Sequence, residues 1–368
     1  MAMAARLRWA AALLLVPALA AILSKSMSST RRPLPPPLPP VVVVPGYASN
    51  ELDARLTELY RPSSSPLCAA RRGQGWFRLF LNSSDLENDP AGVRCFAEQM
   101  DAPYDAALDD YRNGPGVETR VPFFGSTQGF RYPDPDRRNF SYMATFLSRL
   151  ERLGYRDGET LVETASRLNS GAPVTVVAHS FGGVVLGMYT LVAGNSLGLP
   201  FVDPAALKGE YRSLQSSLWP LPSPAVFGAG QPLVTTRSKA YTAGDMAGFL
   251  QDIGMGEAVR PYETRVLPLF GGELPSPRVP VACVVGVGVD TPELLEYPGD
   301  GFDAAPRMVM GDGDGLVNLA SLVAVDPAWS RLPAAHFSMV KARNVSHTGL
   351  LVDDRALDVI ITAILRPI

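Results

Sequence analysis

The sequence predicts an α/β fold, and three observations carry that reading. Short runs of β-branched residues alternate along the chain with segments of helical spacing. One such run, Val174-Thr-Val-Val-Ala178, leads through His179-Ser180-Phe181-Gly182-Gly183 straight into Val184–Ala193, an apolar stretch suited to a helix. Ser180, the Asp312/Asp314 pair and His347 all fall at the carboxyl ends of predicted strands, where the sites of such sheets lie.

The chain has 368 residues, 46% of them apolar and 19% charged, enough for a large core in one elaborated domain or two. The formal net charge is −3 and no basic cluster stands out beyond the N-terminus, which argues against nucleic acid as a partner.

Residues 1–24 carry Arg6 and Arg8 and then the apolar run Trp9–Leu23. This is the layout of a signal peptide, with Ala18-Leu19-Ala20 as a cleavage candidate. The run is 15 residues long, short of the roughly 20 that span a bilayer, so an uncleaved signal anchor is the less favoured alternative. Residues 25–40 form a Pro-rich tether, and the folded domain is expected over 41–368.

Val41-Val-Val-Val44 reads as a buried strand that ends in the sharp turn Pro45-Gly46-Tyr47. If Ser180 is a nucleophile, the loop after such an early strand supplies one N–H of an oxyanion hole. Tyr47 is the expected donor there, with the N–H of Phe181 as the second.

Residues 51–100 read as a loop excursion. Cys68 and Cys95 bracket an aromatic cluster around Trp76 and Phe77, and in a secreted chain these two cysteines are the natural disulfide. Closing that loop would contribute about 3–4 kcal/mol by chain entropy. A pinned aromatic loop suits a lid (about 66–97) that touches a membrane, although Trp76 could equally pack in a core. Cys283 is expected as a buried free thiol, and Asn82, Asn139 and Asn344 head glycosylation sequons.

Gly116–Pro122 is predicted as a strand, Phe140–Leu153 as an amphipathic helix and 156–170 as a second helical segment. The elbow follows. A serine between a buried strand and a helix, flanked by small residues, is the nucleophile elbow; Gly182 meets the need for a small side chain, and Ala178 stands where the pattern usually has glycine. Past the helix, residues 198–280 are rich in Pro, Gly and Ser without clear periodicity and read as a cap. Pro280–Gly288, Arg307–Met310 and Phe337–Val345 are predicted strands, and Leu357–Leu365 a closing helix.

The chain has three histidines. His179 sits beside Ser180 on the strand, so its side chain is expected on the other face. His336 precedes the last strand, at the wrong end. His347 alone is placed as the base. Asp314, Asp312 and Asp290 remain alternatives for the acid. The Gly311-Asp-Gly-Asp-Gly315 turn could also suggest calcium, but it lacks the ligand pattern of an EF-hand. The order Ser, Asp, His is that of the α/β-hydrolases.

Several stretches together resemble the lecithin–cholesterol acyltransferase family, and within it the plant lecithin–cholesterol acyltransferase-like type. They are Val43-Val-Pro-Gly-Tyr47, Leu52-Asp-Ala-Arg-Leu56, Cys68…Trp76…Cys95, Arg120-Val-Pro-Phe-Phe-Gly125, Ala178-His-Ser-Phe-Gly-Gly183, Gly286-Val-Gly-Val-Asp-Thr-Pro292, Gly311–Asn318 and His347. The resemblance implies an α/β-hydrolase fold with a disulfide-pinned lid and a cap. It also implies Ser180 as nucleophile, Asp314 as acid, His347 as base, the Cys68–Cys95 disulfide, and Trp76 as a membrane-facing lid aromatic. Two family segments are missing here: a Pro-Tyr-Asp-(Trp/Phe)-Arg segment before the nucleophile strand, and a helix and strand after the elbow.

The expected activity is transfer or hydrolysis of an acyl group from a glycerophospholipid ester, in the secretory pathway, with no metal or cofactor. The expected partners are a lipid ester substrate and a lipid surface met through the lid. The alternatives are a catalytically silent lipid-binding relative and, more distantly, a serine peptidase.

Overall fold

The computed structural model describes residues 38–366 apart from 90, 135–136, 138–140, 158–172, 181–183, 198, 229 and 271–274. The chain divides into two units, Met1–Leu38 and Pro39–Ile368, and the account below is of the second. The expected leader, almost all of the tether, most of the helical segment at 156–170 and the Asn139 sequon lie outside the described residues. No helix among the described residues is long and apolar enough to cross a membrane.

Apart from a short hairpin of Tyr104–Asp105 with Asp110–Tyr111, the strands among the described residues, in chain order, are β1 (Val41–Val44), β2 (Leu52–Leu56), β3 (Trp76–Phe80), β4 (Val117–Arg120), β5 (Thr175–Ala178), β6 (Val234–Thr235), β7 (Ala240–Tyr241), β8 (Val281–Val287), β9 (Val289–Glu296), β10 (Arg307–Gly313) and β11 (Phe337–Arg343). The strands expected to be buried form two parallel pairs but are only part-buried: Val44 is 44% and Val176 56% exposed, since each strand has one partner here rather than a place inside a wide sheet. β1 pairs with β5 from Val41↔Thr175 to Val44↔Ala178, and β8 pairs with β11 from Val281↔Phe337 to Val287↔Arg343. The apolar stripes of helices α2 (Ala144–Arg152) and α7 (Asp354–Leu365) cover the first pair: Met143, Phe146, Leu147, Leu150 and Leu357 form one buried cluster with Val41. The helix expected from Phe140 thus starts at Ala144 among the described residues.

The expected loop over residues 51–100 is instead a small module. β2 runs antiparallel to both β3 and β4, and helix α1 (Gly92–Met100) packs Phe96 against Phe80 and Leu81. These strands carry Asp53, Arg55 and Arg78 between their apolar residues, so one face is charged and the alternation is short enough to pass for a polar loop. The Cys68 and Cys95 sulfurs, 2.07 Å apart, close the module's disulfide. Cys283 is a free thiol on β8, half-buried rather than buried.

The cap also departs from expectation. Residues 198–280 contain short helices, among them α4 (Lys208–Ser213), α5 (Met246–Asp252) and α6 (Gly256–Pro261), after the long α3 (Val184–Ala193). Each is one or two turns long, so no window shows a full helical period. Tertiary burial holds them: Met188, Leu233, Phe249, Leu250 and Leu295 belong to one apolar cluster. The β6–β7 hairpin joins β9 and β10 in a four-stranded sheet. β9 itself was not expected. Pro292 stands in it where the ladder with β10 shifts register, the place a strand tolerates proline. The chain turns into β9 at Gly288, whose φ of +82° suits glycine, and Asp290 therefore belongs to β9 rather than to the end of β8.

Glu210 on α4 is 8% exposed, and burial, with Asp101 nearby, pushes its carboxyl up to about 8. The folded state then keeps a proton that the unfolded chain, near the usual 4.5, releases. Stability should fall as pH rises through that window, by about 1.4 kcal/mol per unit at most. Glu210→Gln mimics the neutral form. Its melting temperature should exceed that of the parent by several degrees at pH 8 and match it near pH 4; an equal difference at both would contradict the buried-acid account.

Candidate active site

Ser180 directly follows the β5–His179 segment with φ +65°, a left-handed conformation that a non-glycine residue adopts only where the surroundings enforce it. The β1 turn presses against it. A Cβ on Gly46 would lie 2.6 Å from the Ser180 Cβ and 2.9 Å from the Tyr142 hydroxyl, so only glycine fits there. Ser180 is thereby held clear of the strand end, as the elbow pattern requires.

The three residues expected to work together meet. The Ser180 Oγ and His347 Nε2 are 2.7 Å apart, and His347 Nδ1 is 2.7 Å from Asp314 Oδ2. Asp314 begins the turn after β10 and is 1% exposed. Burial alone would raise its carboxyl, but hydrogen bonds from His347 and from the Val317 and Leu316 amides outweigh this and hold it below the usual range. Those amides donate to Oδ1 at 2.7 and 3.0 Å, leaving Oδ2 to face the imidazole. The His347 amide donates to the Asp314 carbonyl at 2.8 Å, so backbone and side chain fix the same pair. The other two aspartates are elsewhere: Asp312 is exposed and accepts from the Gly288 amide, and Asp290 is exposed opposite it.

The imidazole can accept a proton from Ser180 at Nε2 while the carboxylate keeps Nδ1 protonated, which is the arrangement that makes a serine hydroxyl nucleophilic. A cavity of about 410 Å³ opens on Ser180 and His347 and is lined by Trp219, Leu221, Phe227 and Val284. It lies between the cap and the two parallel pairs, since both Ala178 of β5 and Val284 of β8 border it.

Tyr47 sits in the β1 turn with its ring against Tyr211 of the cap, edge-on at 6.2 Å. Burial pushes its hydroxyl up to about 12. Phe181, the second expected oxyanion donor, lies outside the described residues. Trp76 and Phe77 do not border the cavity; both are half-buried on β3. The guanidinium carbons of Arg55 and Arg120 lie 5.0 and 4.4 Å from the Trp76 ring, and that of Arg71 lies 4.7 Å from Phe77.

His179 is drawn to the site rather than away from it. Its ring contacts the Tyr142 hydroxyl at 2.7 Å and the His347 carbonyl at 3.0 Å. Sequence reasoning missed both His179 and Tyr142, because no local pattern links residues 37 positions apart. His336 is remote, bonded to the Pro277 carbonyl. Among the described residues no group of three or more His, Cys, Asp or Glu is placed to hold a metal ion.

No family model matches the chain. Individual relatives do. The chain is 38% identical to lecithin-cholesterol acyltransferase-like 1 of Oryza sativa subsp. japonica over 379 aligned positions, which take in 86% of this chain and 84% of the relative. It is 37% identical to the protein of the same description from Arabidopsis thaliana, over 86% of this chain and 88% of that one. It is 27% identical to the lysosomal phospholipase A and acyltransferase of Rattus norvegicus, over 87% and 88%. An alignment of 379 positions on a chain of 368 has to open gaps in it, which accords with segments being absent here.

Proposed function

The chain belongs to the lecithin–cholesterol acyltransferase family, and from that premise we propose that it is an α/β-hydrolase-type lipid acyltransferase or phospholipase that works through an acyl-serine. The observation that carries the reading is the hydrogen-bonded series Ser180–His347–Asp314 on a cavity of mixed lining to which Trp219, Leu221, Phe227 and Val284 contribute apolar side chains. His347 Nε2 takes the Ser180 proton as Oγ attacks the ester carbonyl of a glycerophospholipid. The amides of Tyr47 and Phe181 receive the oxyanion, and Asp314 stabilises the imidazolium. Collapse expels the lysolipid alkoxide, which takes the proton back from His347. Water or an alcohol such as a sterol, deprotonated by the same imidazole, then releases the acyl group from Ser180.

The setting fits the secretory pathway. Residues 1–24 have the layout of a leader, and a disulfide joins Cys68 to Cys95, a bond that persists in oxidising compartments. Phosphatidylcholine vesicles with and without sterol test the reaction. Mass spectrometry should find lysolipid together with free fatty acid or acylated sterol. The absence of all of these would favour a silent lipid-binding form, the reading that the two separate parallel pairs support.

The disulfide module serves as the lid in this proposal, with Trp76 meeting the lipid surface. Aromatic rings among arginines suit an interface where one end is apolar and the other wet. Trp76→Ala should reduce turnover on vesicles and leave turnover of a short, water-soluble ester near normal. If the ring served packing instead, the substitution would cost about 3–5 kcal/mol, lower the melting temperature and depress both activities together.

A further inference from the structure

One hydroxyl and one imidazole tie together all three backbone segments of the site. The Gly46 amide donates to the Tyr142 hydroxyl at 2.9 Å. That hydroxyl is 2.7 Å from His179 Nδ1, and His179 Nε2 is 3.0 Å from the His347 carbonyl. The proton positions follow from chemistry. A carbonyl only accepts, so His179 Nε2 carries the hydrogen. In a neutral imidazole Nδ1 is then the acceptor, and Tyr142 must donate to it. The Tyr142 oxygen keeps a lone pair for Gly46. The series runs in one direction, Gly46 N–H to Tyr142, Tyr142 O–H to His179, His179 N–H to His347, with the Ser49 hydroxyl as a further neighbour of the Tyr142 oxygen. Burial raises the Tyr142 phenol and lowers the His179 imidazole, which keeps both neutral.

The ends of this chain are what matter. Gly46 immediately precedes Tyr47, His179 immediately precedes Ser180, and His347 is the base. The rings of His179 and His347 also lie 4.9 Å apart, centroid to centroid. Tyr142 is 8% exposed and His179 9%, so water does not stand in for either. We propose that Tyr142 and His179 are positioning residues for the acyl-transfer step, holding the oxyanion turn, the nucleophile and the base in register through this single directed series of hydrogen bonds. The proposal rests on the reading of Ser180 as nucleophile. It assigns no contact with the reacting atoms to either residue. Their effect should appear in the acylation rate, and for Tyr142, which does not border the cavity, not in substrate affinity.

Tyr142→Phe removes one oxygen and leaves the Gly46 amide and His179 Nδ1 without their partner. The displaced donor and base should lower kcat on a short ester ~10- to 100-fold, with KM within about twofold because the cavity lining is untouched. His179→Ala should lower kcat to a similar extent; because His179 itself borders the cavity, the unchanged KM is expected of Tyr142→Phe alone. His179→Gln, whose amide can replace the Nε2–H donor to His347, should recover most of the loss. The second readout is the rate constant for labelling of Ser180 by a fluorophosphonate, measured well below each variant's melting temperature. A residue that only stabilises the fold would lower the melting temperature and leave that rate constant, per folded molecule, unchanged. Wild-type labelling rates in Tyr142→Phe and His179→Ala would therefore overturn the positioning role while leaving Ser180 as nucleophile. Failure of the parent chain itself to label would overturn the nucleophile reading and this one with it.

Discussion

Ser180→Ala should lower kcat about 10⁶-fold on vesicle phospholipid and on a water-soluble ester alike, by analogy with serine proteases stripped of their nucleophile. The loss should be equal on both substrates because the missing atom is the one that forms the acyl bond. The Oγ makes a 2.7 Å contact to His347 and no further hydrogen bond among the described residues, so its removal should leave the melting temperature nearly unchanged. Ser180 already holds a strained φ of +65°, and alanine has the same backbone cost. A variant that kept a tenth of the parent's turnover would require another nucleophile.

Asp314→Asn should have the next largest effect, about 10⁴-fold in kcat by the same analogy. An amide at this position can present its NH₂ to His347 Nδ1, which favours the tautomer with the proton on Nε2, where it cannot accept from Ser180. The neutral side chain also no longer stabilises the imidazolium. Asp312→Asn and Asp290→Asn should be near normal, since both side chains are exposed and neither touches the imidazole. A damaging Asp312→Asn beside a normal Asp314→Asn would refute the assignment of the acid.

The pH dependence of Asp314 has a sign as well. Its carboxyl is held low in the folded state, so its contribution to stability is present above the usual carboxylate range and is lost as pH falls through its folded value. Glu210 runs the other way, and the two together place best stability in mild acid.

What the sequence made legible was the set of positions fixed by local pattern. Ser180 stood between a β-branched run and an apolar helix, and His347 followed a strand in a chain with three histidines. The acid was legible only to within three aspartates. Asp312 and Asp314 share one glycine-rich segment, and what separates them is that Asp312 still lies in β10 while Asp314 opens the turn whose amides bind its Oδ1. In the antiparallel module over Leu52–Arg120 the strand at Val117–Arg120 was legible, but β2 and β3 were hidden because each is five residues long and they place Asp53, Arg55 and Arg78 on one face. The helices within residues 198–280 were hidden because each is too short to show a period and is held by contacts distant in sequence. The Tyr142–His179 contact is of the same kind: it depends on how the segment leading into α2 meets the end of β5, not on any spacing.

β1 pairs with one edge of β5, and among the described residues no strand pairs with its other edge.

Labelling of the secreted chain with a fluorophosphonate, followed by mapping of the modified peptide, tests the account most directly. The reagent reacts only with a serine whose base and oxyanion donors are in place. The account predicts an adduct on Ser180 in the parent chain, none in Ser180→Ala and a strongly slowed reaction in Asp314→Asn. A folded parent chain that binds phosphatidylcholine vesicles and yet carries no adduct on Ser180 would contradict it.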